Sequence, residues 1–244
     1  MVDPVVNVLT LSEDGATEAV EVIQTVVRRL LVHVVEPGAR SQYLRFEPYA
    51  AEHRPAVVAN AWLSTSPRDQ EKITKLNRYI ARVLDSGGTF RLAVHHFDAD
   101  RPWSPARPSA KLQRWQQVVA APVAKLTRSV AASERLVPVV PHPELEGWLY
   151  LASEALEELA ASSGRQPPQP PADGWDSCTA IKDEHSWPRD MHNLLLAKRL
   201  PAERAVRSSP SLADTAERLK LVPGLIEALR STVAGPLAPR RPPA

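Results

Sequence analysis

Three groups of carboxylates stand where extended, apolar stretches give out. Val5 to Leu11 runs into Glu13-Asp14-Gly15-Ala16-Thr17-Glu18, Phe90 to Phe97 runs into Asp98-Ala99-Asp100, and Leu136 to Val140 runs into His142-Pro143-Glu144-Leu145-Glu146. Acids gathered at one edge repel each other unless something cationic neutralises them. Oxygen-rich ligand sets of this kind suit Mg²⁺ or Mn²⁺. In extended backbone, residues two apart point to the same side, so Asp98 and Asp100 can converge on one ion. Arg101 directly follows the pair, and His142 lies beside the same edge. Lys182, with His185 in the segment IKDEHSW, is a further candidate to close over the site.

The elements that must position these residues follow from periodicity. Val5–Leu11 is β-branched and apolar, as a buried strand is. Gln42–Glu47 alternates and predicts a second strand, Phe90–Phe97 a third and Leu136–Val140 a fourth, with Pro138 pointing to an edge or irregular position. Ala19, Ile23, Val26, Val27, Leu30, Leu31 and Val34 fall on one helical face. Helices are also predicted over about 67–85, over about 108–132 with Pro122 as an obstacle, and from Pro143 onward. Strands alternating with helices imply a mainly parallel sheet flanked by helices, and in such sheets ligands bind beyond the carboxyl ends of the strands. The expected organisation is an α/β domain over 1–162, a Pro-rich linker over 163–176, a helical C-terminal extension over 177–234 and a disordered tail over 235–244. Within the extension, helices are predicted at about 187–200, 211–219 and 222–233.

Composition narrows the function classes. The chain has 244 residues, 30 Lys and Arg, 28 Asp and Glu and a net charge of +2, which excludes a strongly basic nucleic-acid coat protein. The lone cysteine, Cys178, excludes an intrachain disulfide and a cysteine-based zinc site. None of the nine glycines falls in a G-x-G-x-x-G or P-loop pattern, which disfavours dinucleotide and P-loop nucleotide binding. G-x-S-x-G and H-E-x-x-H are absent as well. The N-terminus has no signal-peptide pattern and no apolar stretch is long enough to span a bilayer, so a cytoplasmic setting without a membrane partner is expected. His95 and His96 face opposite ways on a strand and are expected as packed core histidines.

An acidic-Gly turn after the first strand, followed by Asp-x-Asp after a later one, resembles a Toprim catalytic domain. Glu146-Gly147-Trp148-Leu149 and Ser208-Ser209-Pro210-Ser211 are similar to segments of the bacterial Toprim-like proteins that include RloB-type proteins and relatives of the OLD nuclease. Their strand-end pattern E-G-x-T-E is met here by Asp14-Gly15-Ala16-Thr17-Glu18, so either Asp14 or Glu13 serves as the first acid. The resemblance implies a divalent-metal-dependent nuclease, or a nuclease-like effector subunit, in bacterial anti-phage defence. It implies a DNA or RNA substrate and an ABC-type ATPase partner, and leaves homo-oligomerisation open. Glu13, Asp14, Asp98 and Asp100 are then the candidate catalytic residues. Asp98, Asp100 and Glu146 are the candidate ligands of Mg²⁺ or Mn²⁺, and Arg101, His142 and Lys182 the candidate substrate contacts. The rival reading is a non-catalytic regulatory subunit of the ATPase on a degenerate Toprim scaffold. A haloacid-dehalogenase-type phosphatase fits less well, because Asp98-x-Asp100 follows a later strand and Pro102 stands in the Thr position.

Overall fold

The apolar runs that end in acids form strands. β1 (Val6–Ser12), β2 (Leu44–Pro48), β3 (Phe90–His96) and β4 (Leu136–Val139) make one all-parallel sheet in the order β2-β1-β3-β4. The structure is a computed structural model that describes residues 5–15, 17–58, 60–179, 181 and 190–234. From β1 the chain first builds outward to β2, then returns to the other side of β1 to lay down β3 and β4. The strand order therefore reverses between β1 and β3, the position at whose carboxyl ends open parallel sheets bind ligands. β4 is an edge strand, as Pro138 requires.

The pleat sends alternate side chains into two cores. Val6, Val8, Leu92 and Val94 pack with Ile23, Val26 and Leu30 of α1 (Thr17–Leu30). Leu9, Leu11, Ala93 and Phe97 face the opposite way. They meet α2 (Arg54–Val57), Trp62, and Ile73, Leu76 and Ile80 of α3 (Pro67–Asp85). Ser66 caps α3, its hydroxyl accepting from Asp69 N, and Pro67 follows at the first helical position.

The long helix expected around Pro122 is divided. α4 (Ala110–Trp115) passes through a π turn (Gln116–Ala120) into α5 (Ala121–Leu126), and α6 (Val130–Ser133) follows separately. Proline lacks an N–H and crowds the carbonyl four residues back. The wider turn carries the chain past it, and the carbonyl of Val118 accepts instead from Asn77 Nδ2 at 2.9 Å. Beyond the cis peptide His142–Pro143, two helices replace the single one expected: α7 (Leu145–Leu149) and α8 (Ser153–Ser162).

The C-terminal helices are α9 (Asp190–Arg199), α10 (Ala202–Ser208), α11 (Pro210–Lys220) and α12 (Leu225–Ala234). α10 was not foreseen. Leu196, Leu200, Leu212, Leu219, Leu225 and Leu229 share one core with Val6 and Ile23. The Arg29 guanidinium of α1 donates to the carbonyls of Lys198 and Leu200, covering the open end of α9. Among the described residues, no helix is long and apolar enough to cross a membrane.

Asn77 is 3% exposed, and truncating it removes the donor to the Val118 carbonyl. Asn77→Ala is expected to lower unfolding stability by about 0.5–1.5 kcal/mol in urea titration. Unchanged stability would remove Asn77 from this account of the Pro122 turn.

Candidate functional site

The carboxyl ends of β1 and β3 are bridged by one carboxylate. Glu13 continues the β1 ladder by one step, its N–H donating to the carbonyl of His96 at 3.1 Å. Its Oε1 accepts from the backbone N–H of Asp98 at 2.6 Å, and its Oε2 from Asn60 Nδ2 at 2.7 Å. Asn60 stands in the left-handed region, φ 46°, a conformation asparagine tolerates. Its amide is oriented by the buried Trp62, whose Nε1–H donates to Asn60 Oδ1 at 3.1 Å.

Asp100 faces the same point from β3. Its φ is 54°, and its N–H donates to the carbonyl of Pro143 at 3.0 Å, tying the β3 loop to the β4 loop. Lys111 Nζ lies 2.6 Å from Asp100 Oδ2 and 3.6 Å from Glu13 Oε2. One ammonium thus stands between two carboxylates. Lys111 projects from the start of α4, which Ser109 caps by accepting from Leu112 N at 3.1 Å.

Asp98 turns the other way. Its Oδ1 accepts from the backbone N–H of Leu145 at 3.0 Å, at the start of α7, and lies 3.5 Å from His96 Nε2. That second contact is an ion-pair distance, longer than a good hydrogen bond. His96 is fully buried, and its Nδ1 lies 3.0 Å from Ser12 Oγ. Burial opposes a charged His96, but the Asp98 carboxylate beside it and the charges of Asp14 and Glu13 outweigh burial and raise its pKa.

The structure distinguishes the sequence candidates. Glu13, and not Asp14, reaches the β3 end and Lys111. Asp14 is partly exposed and acts on His96 through its charge. Asp98 and Asp100 take different partners, the Leu145 amide for one and the Lys111 ammonium for the other, and the backbone does not stay extended between them, since Asp100 stands in the left-handed region. Glu146 Oε1 accepts from Asn193 Nδ2 of α9 at 3.4 Å. Among the described residues, no three His, Cys, Asp or Glu side chains gather about one point, so Asp98, Asp100 and Glu146 form no joint ion cage. The pair that shares a cation is Glu13 with Asp100. The Asp100 side chain is 62% exposed and open to solvent. That pair suits Mg²⁺, which keeps several waters and needs only one or two protein carboxylates. The Lys111 ammonium marks where positive charge is favoured.

The substrate candidates divide similarly. His142 is buried and donates from Nδ1 to the carbonyl of Arg101 at 3.0 Å, since a carbonyl can only accept. It packs edge-on to Trp103, and burial lowers its pKa. It holds the Arg101 backbone and does not reach the carboxylate pair. Arg101 follows Asp100 directly, and its Nε lies 3.4 Å from the carbonyl oxygen of Pro102. Lys182 and His185 lie outside the described residues.

The two segments named for the family resemblance meet. Trp148 Nε1 donates to Ser211 Oγ at 2.7 Å. Ser209 caps α11, accepting from Leu212 N, and the buried Asp176 carboxylate accepts from Ser209 Oγ at 3.0 Å and Ser211 N at 2.7 Å. Burial pushes the Asp176 carboxyl up against these bonds. Packing is close at Gly147: a Cβ there would stand 2.9 Å from Ile181 Cδ1, which would have to move, and 3.3 Å from the His142 carbonyl oxygen. A separate cleft of about 380 Å³ lies under the Pro-rich segment, between Leu156, Pro168, Trp175 and Arg204, and shares no residue with the strand ends.

Asn60, Lys111 and Asp176 carry no periodic or motif signal and were not foreseen. Comparison with protein-family models, with curated proteins and with solved structures finds no match to this chain.

His95, on the opposite face from His96, accepts at Nδ1 from Trp115 Nε1 at 2.9 Å, among Trp62 and Phe97. Burial pushes its pKa down to about 3. The unfolded chain binds a proton near the ordinary histidine value of about 6.5, so between these limits the unfolded state holds more protons. Stability should therefore fall as pH drops through this window, by about 1.4 kcal/mol per unit from this residue. His95→Gln, which keeps an acceptor for Trp115, should flatten the acid limb of a stability-against-pH curve. An unaltered limb would contradict a neutral buried His95.

Proposed function

We propose that this chain is a divalent-metal-dependent phosphodiesterase acting on nucleic acid, a nuclease or nuclease-like effector of bacterial anti-phage defence on a Toprim-like sheet. The observation that carries the reading is the Glu13–Asp100 pair about a single cation position at the switch point of a parallel sheet. The defence setting and an ABC-type ATPase partner rest on the family resemblance alone.

Glu13 and Asp100 would hold Mg²⁺ or Mn²⁺, which when bound offsets phosphate charge and makes a bound water more acidic. Asn60 helps hold the Glu13 carboxylate at the strand ends. Asp98 is a positioning residue: its N–H anchors Glu13 and its carboxylate anchors α7. Arg101 supplies a guanidinium beside Asp100 for a phosphate oxygen, on a backbone fixed by His142.

One observation favours the second reading, a regulatory subunit of an ATPase without catalysis. Lys111 already offsets the charge of both acids, so the fold stands without a metal.

Calorimetric titration with Mn²⁺ separates the two readings. Wild type should bind one ion, Glu13→Gln and Asp100→Asn should lose it, and Asp14→Asn should retain it. Hydrolysis of bis(p-nitrophenyl) phosphate with Mn²⁺, which needs no partner protein, should fall by about a hundredfold or more in the two losing variants. A folded wild type that binds no Mn²⁺ supports the regulatory subunit instead.

A further inference from the structure

Lys111 has no part in the reaction proposed above, yet it holds the most central position in the site. Its ammonium is shared between Asp100 at 2.6 Å and Glu13 at 3.6 Å, and its side chain is 18% exposed. It stands in the first turn of α4, where aligned peptide dipoles disfavour a cation. The carboxylates, and not the helix, account for its place. Its backbone is anchored from both sides. Ser109, 1% exposed, caps the helix start, and Trp115 at the end of α4 is bonded to His95 in the core. The long, flexible stem of a lysine lets the ammonium leave while such a backbone stays put.

We propose that Lys111 is a built-in counter-ion that competes with a divalent cation for Glu13 and Asp100. Without metal, the ammonium holds the two acids together across the ends of β1 and β3. A divalent ion must displace it, so Lys111 sets how much metal the site needs before it fills. This rests on the metal-dependent reading and adds its regulation: a threshold set by one lysine.

The test is Mn²⁺ binding followed by electron paramagnetic resonance of the free ion at fixed ionic strength. The proteins compared are wild type, Lys111→Met and Lys111→Met/Asp100→Asn, each shown to be folded by a cooperative thermal melt. Lys111→Met should bind Mn²⁺ about tenfold more tightly than wild type, the scale on which a close charge pair couples. Without metal it should melt below wild type, because the acids now repel. Mn²⁺ should raise its Tm more than it raises that of wild type. The double variant should melt above Lys111→Met without metal and lose the gain in affinity. Equal or weaker Mn²⁺ binding by Lys111→Met overturns this inference and leaves the metal-dependent reading standing. Absence of Mn²⁺ binding in both wild type and Lys111→Met overturns the two together.

Discussion

The bond from the Asp98 backbone N–H to the Glu13 carboxylate is the contact on which the rest of the site depends. Parallel strands at a switch point part company at their carboxyl ends, because the chain leaves β1 and β3 toward opposite faces of the sheet. The two ends here are pinned by a side chain. A carboxylate in that position needs donors on both oxygens, and it has them: the Asp98 amide on one and Asn60 on the other, with the Lys111 ammonium at ion-pair distance. Each of these partners brings an element with it. Asn60 ties in the segment leading to Trp62, and Lys111 ties in α4. Asp98 extends the chain of contacts to α7 through Leu145 N.

The same device recurs on the C-terminal side. Asp176 and Ser209 organise the start of α11 as Asp98 organises the start of α7, in each case with oxygen acceptors facing backbone N–H groups. Trp148 of α7 joins the two through Ser211. The C-terminal helices thereby reach the strand-end loops through hydrogen bonds as well as through the shared apolar core. An acid that serves a helix N-terminus is satisfied there. Asp98 and Asp176 are therefore architectural, while the exposed Asp100 keeps a lone pair's access to solvent.

The strands and α3 were legible because their signals are local: β-branched runs for β1 and β3, and Ser66-Pro67 before an apolar stripe for α3. The site was legible only as far as its strand ends. Alignment on Gly15 favoured Asp14, but the extra ladder step at Glu13 turns that neighbour toward β3. Spacing made Asp98 and Asp100 a pair, but that inference needs extended backbone, which ends at the left-handed Asp100. Pro122 was read as an obstacle within one helix, and the partner of the carbonyl four residues before it, Asn77, lies 41 residues away in the chain. Lys111 and Asn60 are common surface residue types, and only the folded chain gives them partners.

What most directly tests the account is where a divalent ion binds. Crystals of the full chain soaked in Mn²⁺ and measured for anomalous scattering would show the ion as a peak. That peak is expected between the carboxylates of Glu13 and Asp100, with the Lys111 ammonium displaced. A peak held by Asp98 and Glu146, a peak at Asp14, or no peak in crystals that diffract well would contradict it.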